Sequence, residues 1–274
     1  MTNNIILFIV FIGTNLFGYS QSSLKNKTIG KTNNIEIDTL CISGKRSNIA
    51  DISIDFPIIS KLNPDINSRI KAELLQVYCA DLEEDKKYNL TENSLFELFK
   101  QYYFIPDPDP DAEADALQTY LIPETVEIKF GTVYNENNIL TLSVRKRSMQ
   151  LRVLWDEYFV EFINIDLRSG QRLKLENILV SNYQSSLTNI AKQELENKYG
   201  SDNYFSGFNV EFSLLCENFA ISKEGLQIDF GNMFSNCDNQ LPPSTADKPD
   251  ITIPWSRIKH LIKPTGPLAF MLKQ

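Results

Sequence analysis

Short apolar runs at every second position dominate the chain after Thr125, and they do not alternate regularly with helical segments. Val126, Ile128 and Phe130 keep that spacing, Asn135-Glu136-Asn137-Asn138 supplies turn residues, and Leu140, Leu142 and Val144 resume it. Period two is the spacing of a strand with one buried face, so these runs predict a hairpin. Phe159, Glu161, Ile163, Ile165 and Leu167 share one parity while Tyr158, Val160 and Phe162 share the other, so this strand is expected to be covered in part on both faces. Arg168-Ser169-Gly170 then turns the chain into Leu173 and Leu175. Phe208–Ile221 and Leu226–Phe230 read as two more strands joined through Lys223-Glu224-Gly225, and Ile52, Ile54 and Phe56 mark one nearer the N-terminus.

Helices interrupt the strands at three places. Asn63-Pro64-Asp65 offers a cap, a first-turn proline and a first-turn acid, followed by Ile66, Ile70, Leu74 and Val77 on one helical face. A second helix follows Thr91, with Leu95, Leu98, Phe99 and Tyr102 inward. A third runs from about Tyr183 to Tyr199, turns Leu187, Ile190, Ala191 and Leu195 inward, and ends at Gly200, a residue suited to the left-handed C-terminal cap. Strand runs broken by a few helices predict an α+β fold of mixed, mostly antiparallel sheets with a few packed helices, and argue against a doubly wound one.

The 274 residues are 42% apolar and 11% aromatic, with 27 Lys and Arg against 35 Asp and Glu, a net charge of −8. That is too apolar for a disordered chain, and a fold of this length removes roughly 70% of the unfolded surface from water. An acidic balance lacks the cations that neutralise phosphates, so nucleic acid is not an expected partner.

Ile5–Ile12 is an unbroken apolar run, followed by uncharged residues to Gly18-Tyr19-Ser20-Gln21. This pattern reads as a signal peptide over residues 1–20, cut between Ser20 and Gln21, although Met1-Thr2-Asn3-Asn4 has no Lys or Arg. The expected location is therefore periplasmic or secreted. Residues 21–34 are polar and without period, and read as a disordered leader. No later stretch reaches about 18 apolar residues, so no membrane span is expected after cleavage. In an oxidising compartment the four cysteines, Cys41, Cys79, Cys216 and Cys237, suggest two disulfides. Cys41–Cys79 with Cys216–Cys237 closes the most local loops among the three pairings, and buried free thiols are the alternative.

Pro106-Asp107-Pro108-Asp109-Pro110-Asp111 must be an exposed loop, because the prolines fix φ and remove donors. Asp107, Asp109 and Asp111 invite a calcium reading, but an EF-hand needs Gly and Glu where this segment has Ala112 and Gln118. No metal and no cofactor is expected. Nucleophile elbow, phosphate loop, dinucleotide fingerprint and zincin helix are missing, and His260 is the one imidazole. Trp155 and Trp255 each offer a flat face on which a sugar ring can stack, although core packing is the commoner role of such residues.

Three stretches stand in a characteristic order: Phe159–Leu179, Phe219–Phe230 and Ile251–Lys259. Together they resemble the extracytoplasmic, lysozyme-sensing domain of RsiV-type anti-sigma factors, which also accompanies some peptidoglycan deacetylases. The preceding segment is similar to that domain's usual companion of unknown function. The resemblance implies an N-terminal α+β region over 35–146 and an RsiV-like α+β domain over 147–274. The short Gly-Gly-Ala-His-like loop of the family is replaced here by Arg147–Val153. The implied function is a non-catalytic envelope module that binds a cationic protein such as lysozyme, steered by Asp107, Asp109 and Asp111, or a cell-wall glycan. A cell-envelope enzyme or its accessory domain is the alternative. With four residues before the apolar run, no cytosolic domain and no sigma-factor binding is expected.

Overall fold

A computed structural model describes residues 35–46, 50–79, 91–104, 125–150, 155–199, 218–229 and 250–273. In chain order the elements are β1 (Glu36–Arg46), β2 (Ala50–Ser60), α1 (Pro64–Tyr78), α2 (Glu92–Phe99) with a π-helical extension (Lys100–Phe104), β3 (Thr125–Glu136), β4 (Ile139–Gln150), β5 (Trp155–Asp166), β6 (Gln171–Arg172), α3 (Leu175–Ile178), α4 (Gln184–Tyr199), β7 (Phe219–Ile221), β8 (Gly225–Asp229), β9 (Asp250–Pro254) and α5 (Trp255–Ile258). The architecture is α+β. Strands β1 to β6 form one sheet in sequence order and β7 to β9 a second. All pairs are antiparallel except β2 with β3. The chain between those two strands contains α1 and α2, the length of crossover that a parallel pair requires.

Helix α1 starts as its sequence dictates: the Asn63 side chain accepts from the Asp65 amide at 2.9 Å, and Pro64 occupies the first turn. It covers one face of the larger sheet, where Ile70, Leu74, Val77 and Tyr78 meet Ile54, Phe56, Leu142, Val144 and Ile163. Phe56 packs against Tyr78 at 5.0 Å between centroids and against Phe99 of α2 at 5.3 Å. The Tyr78 hydroxyl donates to the Asp55 carbonyl at 2.7 Å, so this buried aromatic leaves no polar atom unpaired. Lys146 of β4 donates to the Val77 carbonyl, placing a cation at the negative end of α1.

The smaller sheet packs on the opposite face, at the β3 to β5 end, and α4 lies against β9. Here Leu187, Ala191 and Leu195 join Ile221, Leu226, Ile228, Ile251 and Ile253 in a second core. Two buried asparagines connect the sheets. Asn164 of β5 donates to the Phe219 carbonyl at 2.7 Å and accepts from the Ile221 amide at 2.8 Å and the Thr141 hydroxyl at 2.9 Å. Asn218 accepts from the Phe162 amide at 2.8 Å and donates to the Val160 carbonyl at 2.6 Å. Each amide therefore takes the place of a strand along the open edge of the other sheet, where backbone groups cannot go unpaired once buried.

Several sequence expectations shift. The hairpin turn narrows to Asn137-Asn138, both left-handed at φ of 54° and 62°, which is the geometry that matches strand twist. Beyond Phe99, Tyr103 of the π turn also packs inward, 6.3 Å from Phe99 and donating to the Tyr78 carbonyl, while the side chain of Tyr102 lies outside the described residues. The expected Cys41–Cys79 disulfide is not formed. Cys41 lies opposite Asp55, whereas its neighbours Leu40 and Ile42 face the helices with Cys79, so the sheet stands between the two thiols. Strand β4 runs through residue 146, and strands from both sides of that position share one sheet. The signal peptide with its Ser20/Gln21 cut, the 21–34 leader, Gly200, residues 208–217, Cys216, Cys237 and the Asp107, Asp109 and Asp111 loop lie outside the described residues. Among the described residues no helix is long and apolar enough to cross a membrane.

Replacing Asn164 with Leu keeps the branched shape but strips partners from the Ile221 amide, the Phe219 carbonyl and the Thr141 hydroxyl; at about 1–3 kcal/mol for each buried group left unpaired, a loss of at least about 3 kcal/mol is expected in urea unfolding. Burial pushes the Cys79 thiol from 9.0 up to about 12, against a smaller opposing effect of Lys146. Above pH 9 the unfolded chain then ionises while the folded one does not, so Cys79 makes stability fall as pH rises towards 12. Melting temperature should decline less steeply across pH 9 to 11 in Cys79→Ala than in the parent, and equal slopes would refute this assignment.

Candidate functional site

The tip of the β3–β4 hairpin, the β7–β8 turn and the C-terminal helical turns enclose a cleft of about 320 Å³. That is at the small end of the range of roughly 300–1,000 Å³ for small-molecule sites. Tyr134, Trp255, Phe270, Ile262 and Met271 give it an apolar lining, and Glu136, Asn137, Lys223, Ser256 and Lys259 add polar groups. Local sequence explains each wall. Tyr134 follows a bulge after Thr132, which changes the strand's phase, and its hydroxyl accepts from the Asn137 side chain at 3.1 Å. Burial raises the Tyr134 hydroxyl above its ordinary pKa, the Asn137 bond lowers it, and the nearby Glu136 raises it further. The phenol is thus a neutral donor throughout the physiological range.

The opposite wall is fixed from within. Ser222 closes the β7–β8 turn: its hydroxyl donates to the Gly225 carbonyl at 2.9 Å and accepts from the Gly225 amide at 3.1 Å. The Trp255 indole donates to the Ser222 carbonyl at 3.0 Å, so one bond orients the indole and anchors the turn that carries Lys223. A Cβ on Gly225 would overlap the Ile253 carbonyl, so only glycine lets β8 approach β9 this closely. The C-terminal segment is held by the Val180 amide to the Leu261 carbonyl at 2.9 Å and by the Lys263 amide to the Ile178 carbonyl at 2.9 Å, which puts Ile262 beneath the cleft.

The arrangement occurs on a fold seen in other proteins. The chain is similar in fold to DUF3298 proteins. A member of that family from Bacteroides fragilis superposes with a TM-score of 0.66 at 16% identity, covering 89% of this chain and 99% of the other. A DUF3298 protein from Pseudomonas aeruginosa gives a TM-score of 0.52 at 12% identity, covering 84% of this chain and 94% of the other. No family model matches the sequence, and no curated protein does.

Of the residues singled out by sequence, Trp255 lines this cleft while also packing against the second core. Trp155 belongs to β5, and its side chain lies outside the described residues, as do Asp107, Asp109 and Asp111. His260 is exposed in the helical turn after α5 and does not line the cleft. Among the described residues no cluster of His, Cys, Asp or Glu is placed to hold a metal ion. Sequence reasoning missed Tyr134, Phe270, Lys223 and Lys259. Tyr134 carried a weak signal, an aromatic at a strand end beside an Asn-rich turn; the others carried none.

Trp255→Phe keeps an aromatic face but removes the donor to Ser222. Leaving that carbonyl unpaired should cost about 1–2 kcal/mol in urea unfolding; an unchanged midpoint would show that the bond does not anchor the turn.

Proposed function

We propose that the protein is a non-catalytic binding module of the bacterial cell envelope and that its cleft takes a peptidoglycan-type glycan. The observation that carries this reading is the fixed Trp255 ring, set with Tyr134 and Phe270 in a cleft whose polar groups come from Asn137, Ser256 and Glu136. A pyranose presents a C–H face that packs on an aromatic ring and hydroxyls that need donors and acceptors around its rim, and this lining supplies both. Glu136 is the one carboxylate of the lining, whereas glycosidic cleavage ordinarily uses a pair. The apolar leader ahead of Gln21 and the resemblance to RsiV-type domains support an envelope location.

A second reading rests on charge. A net −8 favours encounter with a cationic protein such as lysozyme through long-range attraction, an effect that salt screens. Sedimentation with purified sacculi, run beside lysozyme binding at low and high salt, separates the two. Co-sedimentation with sacculi, weakened in Trp255→Leu, which removes the aromatic face, is the expected result. A protein that remains in the supernatant yet binds lysozyme only at low salt would replace the glycan reading with the second one.

A further inference from the structure

Two cations beside the smaller sheet are neutralised locally. Lys198 meets Asp250 at 2.5 Å, and Arg257, on the same helical turn as the cleft wall, pairs with Glu194. Lys223 and Lys259 are the two cations of the cleft lining. Both are exposed, and neither has an ion-pair partner among the described residues. In a chain where 35 acids face 27 bases, two unneutralised lysines at one aromatic cleft make a local reversal of sign. The cleft is also polarised: Glu136 comes from the hairpin tip, while the two lysines come from the β7–β8 turn and the helical turns across from it.

Accepting the glycan reading of the cleft, we propose that its ligand is an acidic saccharide, with Lys223 and Lys259 binding the sugar's carboxylate while Trp255 and Tyr134 pack against the ring. The geometry favours this over a neutral sugar because the two lysines outnumber the carboxylate of Glu136 in the lining and Lys223 is carried by a turn already clamped by Ser222 and Trp255. Little ordering remains to be done at that wall when ligand arrives. It favours a sugar acid over a bare anion because the lining between the charges is aromatic and aliphatic, and a small inorganic ion would leave that surface unused. Glu136, on the other wall, suits the hydroxyl or amide donors of the ligand's uncharged end.

Calorimetric titration of the full chain with N-acetylmuramic acid, with its carboxamide and with inorganic phosphate tests the assignment, since the two sugars differ in charge at one group. The acid should bind about tenfold more tightly than the amide at low ionic strength, and the difference should shrink at about 0.5 M salt. Lys223→Gln and Lys259→Gln, at exposed positions without described partners, should bring the acid close to the amide. Equal binding of acid and amide, lysine variants without effect, or phosphate that competes as well as the sugar acid would each overturn the carboxylate assignment. Sacculus binding can persist in those cases, whereas failure of both sugars and of sacculi removes the glycan reading itself.

Discussion

Two buried amides hold this fold together. A short strand such as β7 has one side paired with β8 and the other open, and β5 is open beyond its brief contact with β6. Where the two edges meet, at Val160, Phe162, Phe219 and Ile221, their backbone groups must be satisfied by something other than a strand. Asn164 does this for Phe219 and Ile221, and Asn218 does it for Val160 and Phe162. Asparagine suits the task because its side chain offers a donor and an acceptor in one plane, as a peptide group does. The exchange fixes the smaller sheet in position and in register at once, because a shift of one residue would leave four buried backbone groups without partners.

The cleft follows from that joint. With β7 fixed against β5, the β7–β8 turn comes to stand across from the β3–β4 hairpin tip, and the space between becomes a site. The hairpin contributes its wall because Asn137-Asn138 accepts left-handed backbone and holds the tip short, while the Leu167 amide donates to the Asn138 carbonyl at 2.8 Å and ties the tip to β5. Trp255 closes the other wall with its ring in the second core and its N–H on Ser222. Core packing and cleft lining therefore share residues here, so the walls of the cleft are held in place by packing.

Local signals carried much of the fold. Asn63-Pro64-Asp65 marked the start of α1 because capping is decided by neighbours in sequence, and the alternation of Val126, Ile128 and Phe130 against Leu140, Leu142 and Val144 marked β3 and β4 because burial on one face imposes period two. The parallel pairing of β2 with β3 was not readable, since it depends on how α1 and α2 return the chain to the sheet. Cys41 and Cys79 misled for a related reason: closeness in sequence says nothing of which side of a sheet each thiol occupies. Trp255 stood out as a large aromatic, but the facing wall of the cleft comes from a hairpin more than a hundred residues away, at Tyr134, Glu136 and Asn137.

By itself the sequence determined an acidic α+β chain, the positions of most strands and helices, and an aromatic at Trp255, because propensity, capping and periodicity act within a few residues. The tertiary structure alone decided that Asn164 and Asn218 trade edges, that Lys223 and Lys259 meet at one cleft without carboxylate partners among the described residues, and that Tyr134 faces Trp255's wall. Those outcomes depend on how one sheet docks on another. Docking is settled by pairing every buried donor and acceptor across long sequence distances, a condition that no local pattern encodes.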